Sequence, residues 1–369
     1  MRIMIGLENV KMDGVKRAST VLGNSLAATN DVWYYSLADA PAYFDLGAPL
    51  LVAQPPTSPT LANFFGTHPY ELYRDQIGDM IRNIRALAVE TVILPAGLLT
   101  SFAPILKRAL PDVTLVGWMH NNFQTYMNDY YAHMQDEFVA GLRAVDRLVV
   151  LTDADLRDYE RFNPQTTKIY NPMTLTPSGR ADLDSRIIAF TARIDINHKG
   201  IDLLLQAAHY LQPGWQIAIA GSGTPEAMAD FWAMQVAYGV QDRIIYRGAL
   251  KDDELRQHYA GASIFVSTSR WEGMPLVIGE AMAAGLPVVA MANTGSAEFL
   301  GVSEYGILTQ PQNVPDFITR LNALATNKIA REYYADQSLA RAQDFKIDHI
   351  TAQWQQLLGN ADAEMIQTA

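Results

Sequence analysis

Short apolar runs, each just long enough for a buried strand, alternate with longer amphipathic stretches along almost the whole chain. That alternation is the signature of an α/β protein with parallel sheets, because a parallel pair of strands needs a crossover and the crossover is usually a helix. In the first half the expected strands are Arg2–Leu7, 32–36, Thr91–Pro95, Thr114–Trp118 and 147–151. Helices are expected over 15–28, 70–87, 101–110 and Gln135–Ala144. The Pro- and Gly-rich stretch 38–67 interrupts the pattern and reads as one short strand over 49–53 and a long loop.

Near Ile169-Tyr170-Asn171-Pro172 a strand ends, and Pro177 and Gly179 follow in a polar segment. The alternation then restarts, with strands Ile187–Thr191, Gln216–Ala220, 243–247, Ile264–Ser267 and 287–291. Helices should begin near Gly200, Thr224, Lys251, Pro275 and Val314, and two more should fill 328–358. At 369 residues the chain exceeds what one hydrophobic core usually serves. The expectation is a first domain over 1–172, a second over 173–345, and a last segment, 346–369, returning as a helix toward the first. In open parallel sheets ligands sit beyond the carboxyl ends of the strands, so the chemistry belongs in the strand-to-helix loops.

Composition narrows the function class. A net charge of -11 disfavours a nucleic-acid binder, which needs clustered Lys and Arg against phosphate. The absence of cysteine excludes disulfides, thiolate metal sites and cysteine nucleophiles. The N-terminus turns polar at Glu8, too soon for a secretory apolar region, and no apolar run is long enough to span a bilayer. The expectation is a cytoplasmic protein.

Three strand-to-helix loops in the second half offer donors to an anion. In Gly273-Met274-Pro275-Leu276, Pro275 fits a first helical position, and the apolar run to Ala284 is closed by Gly285. The first amides of such a helix lack intrahelical partners and its dipole adds positive potential, which makes a seat for a diphosphate. An ordinary buried strand-loop-helix fits the same residues. Arg193 and Lys199 share the loop 192–200, where two cations suit two phosphates, although a solvated loop with incidental charge reads the same way. The third loop is Gly221-Ser222-Gly223-Thr224-Pro225, for which a tight turn is a sufficient reason. Two acids frame the helix. Glu272 precedes it and Glu280 lies more than a turn inside, where a carboxylate among apolar residues needs a hydroxyl or a cation. A ribose diol or a structural salt bridge would each answer it.

At these residues the chain resembles the retaining glycosyltransferases of family 4. The resemblance runs from Ile187 to Arg193, through Lys199-Gly200, Ala220-Gly221-Ser222-Gly223 and Tyr246-Arg247-Gly248, to Ser269-Arg270-Trp271-Glu272-Gly273-Met274-Pro275 and Glu280. It implies a GT-B fold, two Rossmann-like doubly wound parallel-sheet domains facing a central cleft. It also implies that Arg193, Lys199 and the backbone of Gly273, Met274, Pro275 and Leu276 hold a donor diphosphate. By the same resemblance Glu280 binds the ribose, Glu272 lies beside the transferred sugar, and Gly221, Gly248, Ala249 and Leu250 surround ribose and base. In the first half, Asp13-Gly14-Val15-Lys16-Arg17 resembles the family's glycine-rich first loop, with Gly14 alone of the usual glycine pair. His120, after Trp118-Met119, matches a histidine near the donor sugar.

The implied reaction moves a hexose, from UDP-glucose, UDP-galactose or a UDP-N-acetylhexosamine, to a hydroxyl with retention. Glu272, His120, Arg193 and Lys199 would carry the catalysis. The implied acceptor is a glycan, a teichoic acid or a lipid-linked sugar, with peripheral contact at the inner face of the membrane. Asp153-Ala154-Asp155 and Asp182-Leu183-Asp184 read as a helix start and a linker, so no metal and no cofactor is expected. A sugar-nucleotide epimerase of the same fold, a phosphorylase-like enzyme and a non-catalytic partner subunit are the competing classes. The last would commonly have lost Arg193, Lys199, Glu272 or Glu280.

Overall fold

The computed structural model describes residues 1–58, 67–177 and 179–367, with side chains through 359. The chain separates into two compact units, Met1–Pro172 together with Lys346–Ala369, and Met173–Phe345. Among the described residues no helix is long and apolar enough to cross a membrane.

The first unit runs β1 (Arg2–Leu7), α1 (Gly14–Leu26), β2 (Asp31–Ala38), β3 (Leu50–Thr57), α2 (Pro69–Leu72), α3 (Arg74–Ala86), β4 (Thr91–Pro95), α4 (Ala96–Ser101) and α5 (Ala103–Ala109). It continues with β5 (Thr114–Trp118), α6 (Phe123–Thr125), a π-helical turn (Tyr126–Tyr130), α7 (Gln135–Ala144), β6 (Arg147–Val150), α8 (Asp153–Tyr159) and β7 (Thr166–Lys168). The seven strands form one parallel sheet in the order β3-β2-β1-β4-β5-β6-β7. The inner strands β4 and β5 are buried along their whole length, as expected of parallel strands covered on both faces. Pro55 and Pro56 fall on β3, an edge strand, where a missing N–H costs no ladder bond.

Two helices differ from the sequence expectation. The helix over 70–87 is broken at Tyr73 (φ −106°, ψ 19°), whose ring is buried in the core against Phe102. The helix over 101–110 instead starts at Ala96 and kinks at Phe102, another buried ring. In both places core packing of an aromatic side chain overrides the continuous helical pattern. Part of the loop read over 38–67, residues 59–66, lies outside the described residues.

The second unit runs β8 (Ile187–Thr191), α9 (Ile201–Ala208), β9 (Gln216–Ala220), α10 (Pro225–Tyr238), β10 (Ile244–Tyr246), α11 (Asp252–Ala260), β11 (Ile264–Ser267), α12 (Leu276–Ala283), β12 (Val288–Met291), α13 (Thr294–Leu300), β13 (Ile307–Thr309), α14 (Val314–Thr326) and α15 (Lys328–Arg341). Its parallel sheet has the order β10-β9-β8-β11-β12-β13. The last helix, α16 (Ile347–Gln367), belongs to the first unit. There Thr351 hydrogen-bonds Ser25 of α1 at 2.8 Å, and Trp354 packs edge-on against Trp118 at 4.9 Å. The strand β13 and helix α13 were not foreseen, and α16 runs past the expected end near Leu358. Both units are thus Rossmann-like sheets with helices between parallel strands.

Candidate functional site

In the second unit the loops after β8, β9, β10 and β11 converge, and glycines allow it. Gly221 (φ +148°) lies so close to the loop after β8 that a Cβ there would sit 1.7 Å from the Ala192 carbonyl oxygen. A Cβ on Gly200 (φ +63°) would meet the Thr268 carbonyl oxygen at 2.1 Å. These are positions where only glycine combines the left-handed backbone with such an approach. The loops are then stitched by backbone bonds: Ile194 N–H to Ser222 O (2.9 Å), Gly221 N–H to Gly248 O (2.7 Å) and Arg270 N–H to His198 O (2.9 Å). The Gly221 amide is thus bonded to the loop after β10, and the absence of a side chain lets the loops meet.

Lys199 is the centre of the arrangement. Its ammonium lies 2.6 Å from Glu272 Oε1, and both side chains are nearly buried. Its carbonyl and that of Gly200 each accept a bond from the Thr268 hydroxyl at 3.0 Å. Burial pushes the Glu272 carboxyl up, but Lys199, His198 and a hydrogen bond from Ser269 outweigh it and hold the group below its ordinary range. Glu272 is therefore an anion. His198 is neutral at pH 7: burial, then Lys199, brings its pKa down to about 4. Its Nε2–H donates to the Trp271 carbonyl at 3.0 Å while the imidazole stacks on the Trp271 ring at 4.6 Å.

Arg270 had no assigned role in the sequence, yet it joins the two loops. Its guanidinium donates to both oxygens of Asp202 (2.9 and 2.6 Å), to Asn197 O (2.7 Å), to Ile196 O (3.2 Å) and to Gln312 Oε1 (3.0 Å). A planar five-donor fork can satisfy such a set where a lysine cannot. Arg193, in contrast, is exposed, and among the described residues no hydrogen bond or ion pair holds its guanidinium.

The helix behind this pair begins one residue later than the sequence suggested. Pro275 is the N-cap of α12, with extended backbone (φ −71°, ψ 104°), and Leu276 is the first helical residue. The eight-residue helix keeps the expected stop, with Gly285 at φ +75°. The first amides, Leu276 and Val277, have no carbonyl behind them in the helix. A second strand-to-helix loop closes on the same turn: Asn293 caps α13 and donates from Nδ2 to Ser269 O at 2.9 Å, and Gly295 N–H donates to Glu272 O at 3.3 Å.

Among the described residues two protein hydroxyls meet Glu280. Thr174 Oγ1 donates to its Oε1 at 2.6 Å and the Tyr259 hydroxyl to its Oε2 at 3.0 Å. Thr174 stands more than a hundred positions earlier in the chain, so nothing near Glu280 in the sequence announces it. Gly248 (φ +71°) and Leu250 are half-buried and Ala249 is exposed, on the loop that receives Gly221.

The first unit carries its own cluster at the ends of β1 and β5. Gly14 is the first helical residue of α1, whose cap is the Asp13 carboxylate, accepting from Lys16 N–H at 2.8 Å. The buried Lys16 ammonium lies 2.5 Å from Asp13 Oδ2 and 3.8 Å from Glu8 Oε2. Burial pushes Glu8 up to about 7, although Lys16 works against it. His120 packs its ring on Trp118 at 4.3 Å, and burial followed by Lys16 takes its pKa down to about 3. Gly14 and His120 of this cluster were picked out in the sequence, while Glu8, at the end of the apolar run Arg2–Leu7, had no role assigned there.

The Asp-x-Asp patterns are structurally engaged. Asp153 pairs with Lys168, Asp155 accepts from Phe123 N–H (3.1 Å) and from the Thr152 hydroxyl (2.6 Å), and Asp184 pairs with Lys328 (2.6 Å). Among the described residues no three acids or histidines group as a metal site.

Two parallel Rossmann-like sheets are the units of the GT-B fold, which the chain shares with solved structures. Residues 185–327, within the second unit, match the family described as Glycosyl transferases group 1. The chain is 25% identical to an uncharacterized glycosyltransferase of Haemophilus influenzae, over 94% of this chain and 96% of that protein. It is 23% identical to the amylovoran biosynthesis glycosyltransferase AmsD of Erwinia amylovora, over 94% and 95% of the two chains. Among solved structures, HepE of Anabaena in complex with UDP superposes with a TM-score of 0.82 at 16% identity, over 98% of this chain and 100% of that one. At that identity the likeness is one of fold.

Proposed function

We propose that the chain moves a hexose from a UDP-sugar to a hydroxyl acceptor, with retention of anomeric configuration, in the synthesis of a cell-surface polysaccharide, teichoic acid or glycolipid. The observation that carries the donor half is the Lys199–Glu272 ion pair at the start of α12, with Arg193 unpaired beside it. HepE supports a uridine nucleotide by its bound UDP, and AmsD supports a polysaccharide product by its part in amylovoran biosynthesis.

In this reading Arg193, Lys199 and the first amides of α12, from Met274 to Leu276, take the diphosphate. Pro275 contributes shape but no donor. As the glycosidic bond breaks, charge develops on the leaving phosphate, and preorganised cations stabilise it there more than in the ground state. Lys199 turns from Glu272 toward that phosphate, and Glu272, kept ionised, supports the positive charge on the sugar. The acceptor hydroxyl attacks on the face the nucleotide leaves, and its proton goes to the departing phosphate. Glu280 reaches a ribose by exchanging the Thr174 hydroxyl for the ribose diol. His120, being neutral, holds sugar hydroxyls as a hydrogen-bonding group and not as a charge.

Lys199→Ala tests the proposal. Release of UDP from UDP-glucose, UDP-galactose and UDP-N-acetylglucosamine should fall by about a thousandfold, the loss seen when one main transition-state donor is removed. Wild-type turnover by that variant would refute the assignment. Conversion of the donor sugar to its epimer without acceptor would replace it with epimerase chemistry.

A further inference from the structure

The sheet of the first unit reverses its winding between β1 and β4, since β2 and β3 lie to one side of β1 and β4 to β7 to the other. Open parallel sheets bind ligands at such a switch point, beyond the strand ends. Glu8 is the first residue beyond β1. On the β4 side Ala96 is held at φ +62°, a left-handed backbone rare for a residue with a side chain, and Gly97 N–H donates to the Tyr131 hydroxyl at 3.1 Å.

Two buried polar atoms here have no hydrogen-bond partner among the described residues, Glu8 Oε2 and His120 Nε2. Lys16 does not satisfy them, because at 3.8 Å its ammonium is beyond bonding distance of Glu8 and is committed to Asp13. The Lys16 charge nonetheless acts on both groups, working against the rise at Glu8 and adding to the depression at His120. Buried polar atoms in native folds are nearly always satisfied, so an orphaned carboxylate oxygen and an orphaned imidazole nitrogen within the field of one lysine indicate a ligand with hydroxyls.

The charge at this point selects among ligands. Above pH 7, where Glu8 is ionised, Glu8 and Asp13 outnumber Lys16, so a phosphate or carboxylate placed against Glu8 would meet a like charge. A sugar hydroxyl meets no such cost, and it can donate to Glu8 while another exchanges a bond with His120.

We propose that Glu8 is the acceptor-binding residue of this enzyme and that the sugar it holds is uncharged. This rests on the transferase reading above. It excludes acceptors whose reacting residue is itself phosphorylated, while leaving a phosphate farther along a lipid or polymer tolerated.

The test is UDP release by the full chain from the three UDP-sugars at pH 8, where Glu8 is ionised. It is run alone, with p-nitrophenyl glycosides of glucose, galactose and N-acetylglucosamine, and with glycerol phosphate and glucose phosphate as charged probes. Uncharged glycosides should accelerate release and the charged probes should not. Glu8→Gln should lower kcat/KM for the glycoside by about 10- to 100-fold, the worth of one hydrogen bond to a charged group. Its melting temperature and its dissociation constant for UDP should stay at the wild-type values. Should Glu8→Gln fail to fold, Glu8→Asp, which keeps the charge and withdraws the oxygen, takes its place with the same expected loss. Acceleration by the charged probes, or a glycoside kcat/KM unchanged in the variant, overturns the assignment alone. No release from any of the three donors overturns the transferase reading and the assignment with it.

Discussion

Removing Lys199 should expose how strongly the loops around Glu272 are held together. In Lys199→Ala the Glu272 carboxylate remains nearly buried with its partner at 2.6 Å gone. Breaking a buried pair by deleting one member costs about 3–5 kcal/mol, because the surviving charge is left uncompensated. At about 2–4 °C per kcal/mol for a unit of this size, the melting transition of the second unit should drop by about 10 °C. Its tryptophans, Trp215, Trp232 and Trp271, report that transition by fluorescence. The loss should depend on pH in a definite direction. Without Lys199, burial raises the Glu272 pKa, and a raised acid contributes stability below its unfolded value of 4.5 that is lost as pH rises. The destabilisation should therefore be large at pH 7.5 and small at pH 5. In the double variant Lys199→Ala/Glu272→Gln the orphan charge disappears, and the coupling between the two sites should return about 2–3 kcal/mol, at the upper end for contacting pairs. A double variant as unstable as the sum of the singles would refute the argument. So would a Lys199→Ala loss that is the same at both pH values.

Two further expectations follow from groups outside that pair. His198 and His258 are both held near pKa 4, chiefly by burial, so they stay neutral in the fold while the unfolded chain takes up protons. Their contribution is complete above pH 6.5 and falls as pH drops toward 4, by about 1.4 kcal/mol per pH unit for each group. Urea titrations at stepped pH should show this, and His258→Asn should halve the slope in the second unit. An unchanged slope would show that His258 titrates normally. Arg193 is exposed, so Arg193→Gln should leave the unfolding free energy within about 0.5 kcal/mol of wild type. It should weaken UDP binding by about tenfold or more, the loss of one charge-assisted contact; calorimetry with unchanged UDP affinity would remove Arg193 from the donor site.

The strands were legible in the sequence because parallel strands covered on both faces must be continuously apolar, and Thr91–Pro95, Thr114–Trp118 and Ile187–Thr191 stand where the pattern put them. Short edge elements were not, because three residues such as Ile307–Thr309 carry too little periodicity to register. Helix α13 was hidden by Gly295 and Ser296, poor helix formers kept there by the Asn293 cap and by the need for a close approach to Gly273. The site divided in the same way. Arg193, Lys199, Glu272 and the start of α12 were legible as loop residues at strand ends, and the structure brings Lys199 and Glu272 into contact. The partners that orient them were not. Arg270 with Asp202, and Glu280 with Thr174 and Tyr259, are joined across the sequence by the fold, and no local spacing encodes such a pairing.

The return of α16 to the first unit sets an order of assembly during synthesis. Residues 1–172 leave the ribosome first, yet the indole of Trp118 stays uncovered on one side until Trp354 has emerged. Met173–Phe345 is contiguous and has every strand of its sheet before α16 is made. The unit that starts the chain is thus the one completed last, reversing the usual N-terminal-first sequence of multidomain synthesis. A released chain ending shortly after Phe345 would hold the whole of the second unit and a first unit whose Trp118 lacks its cover.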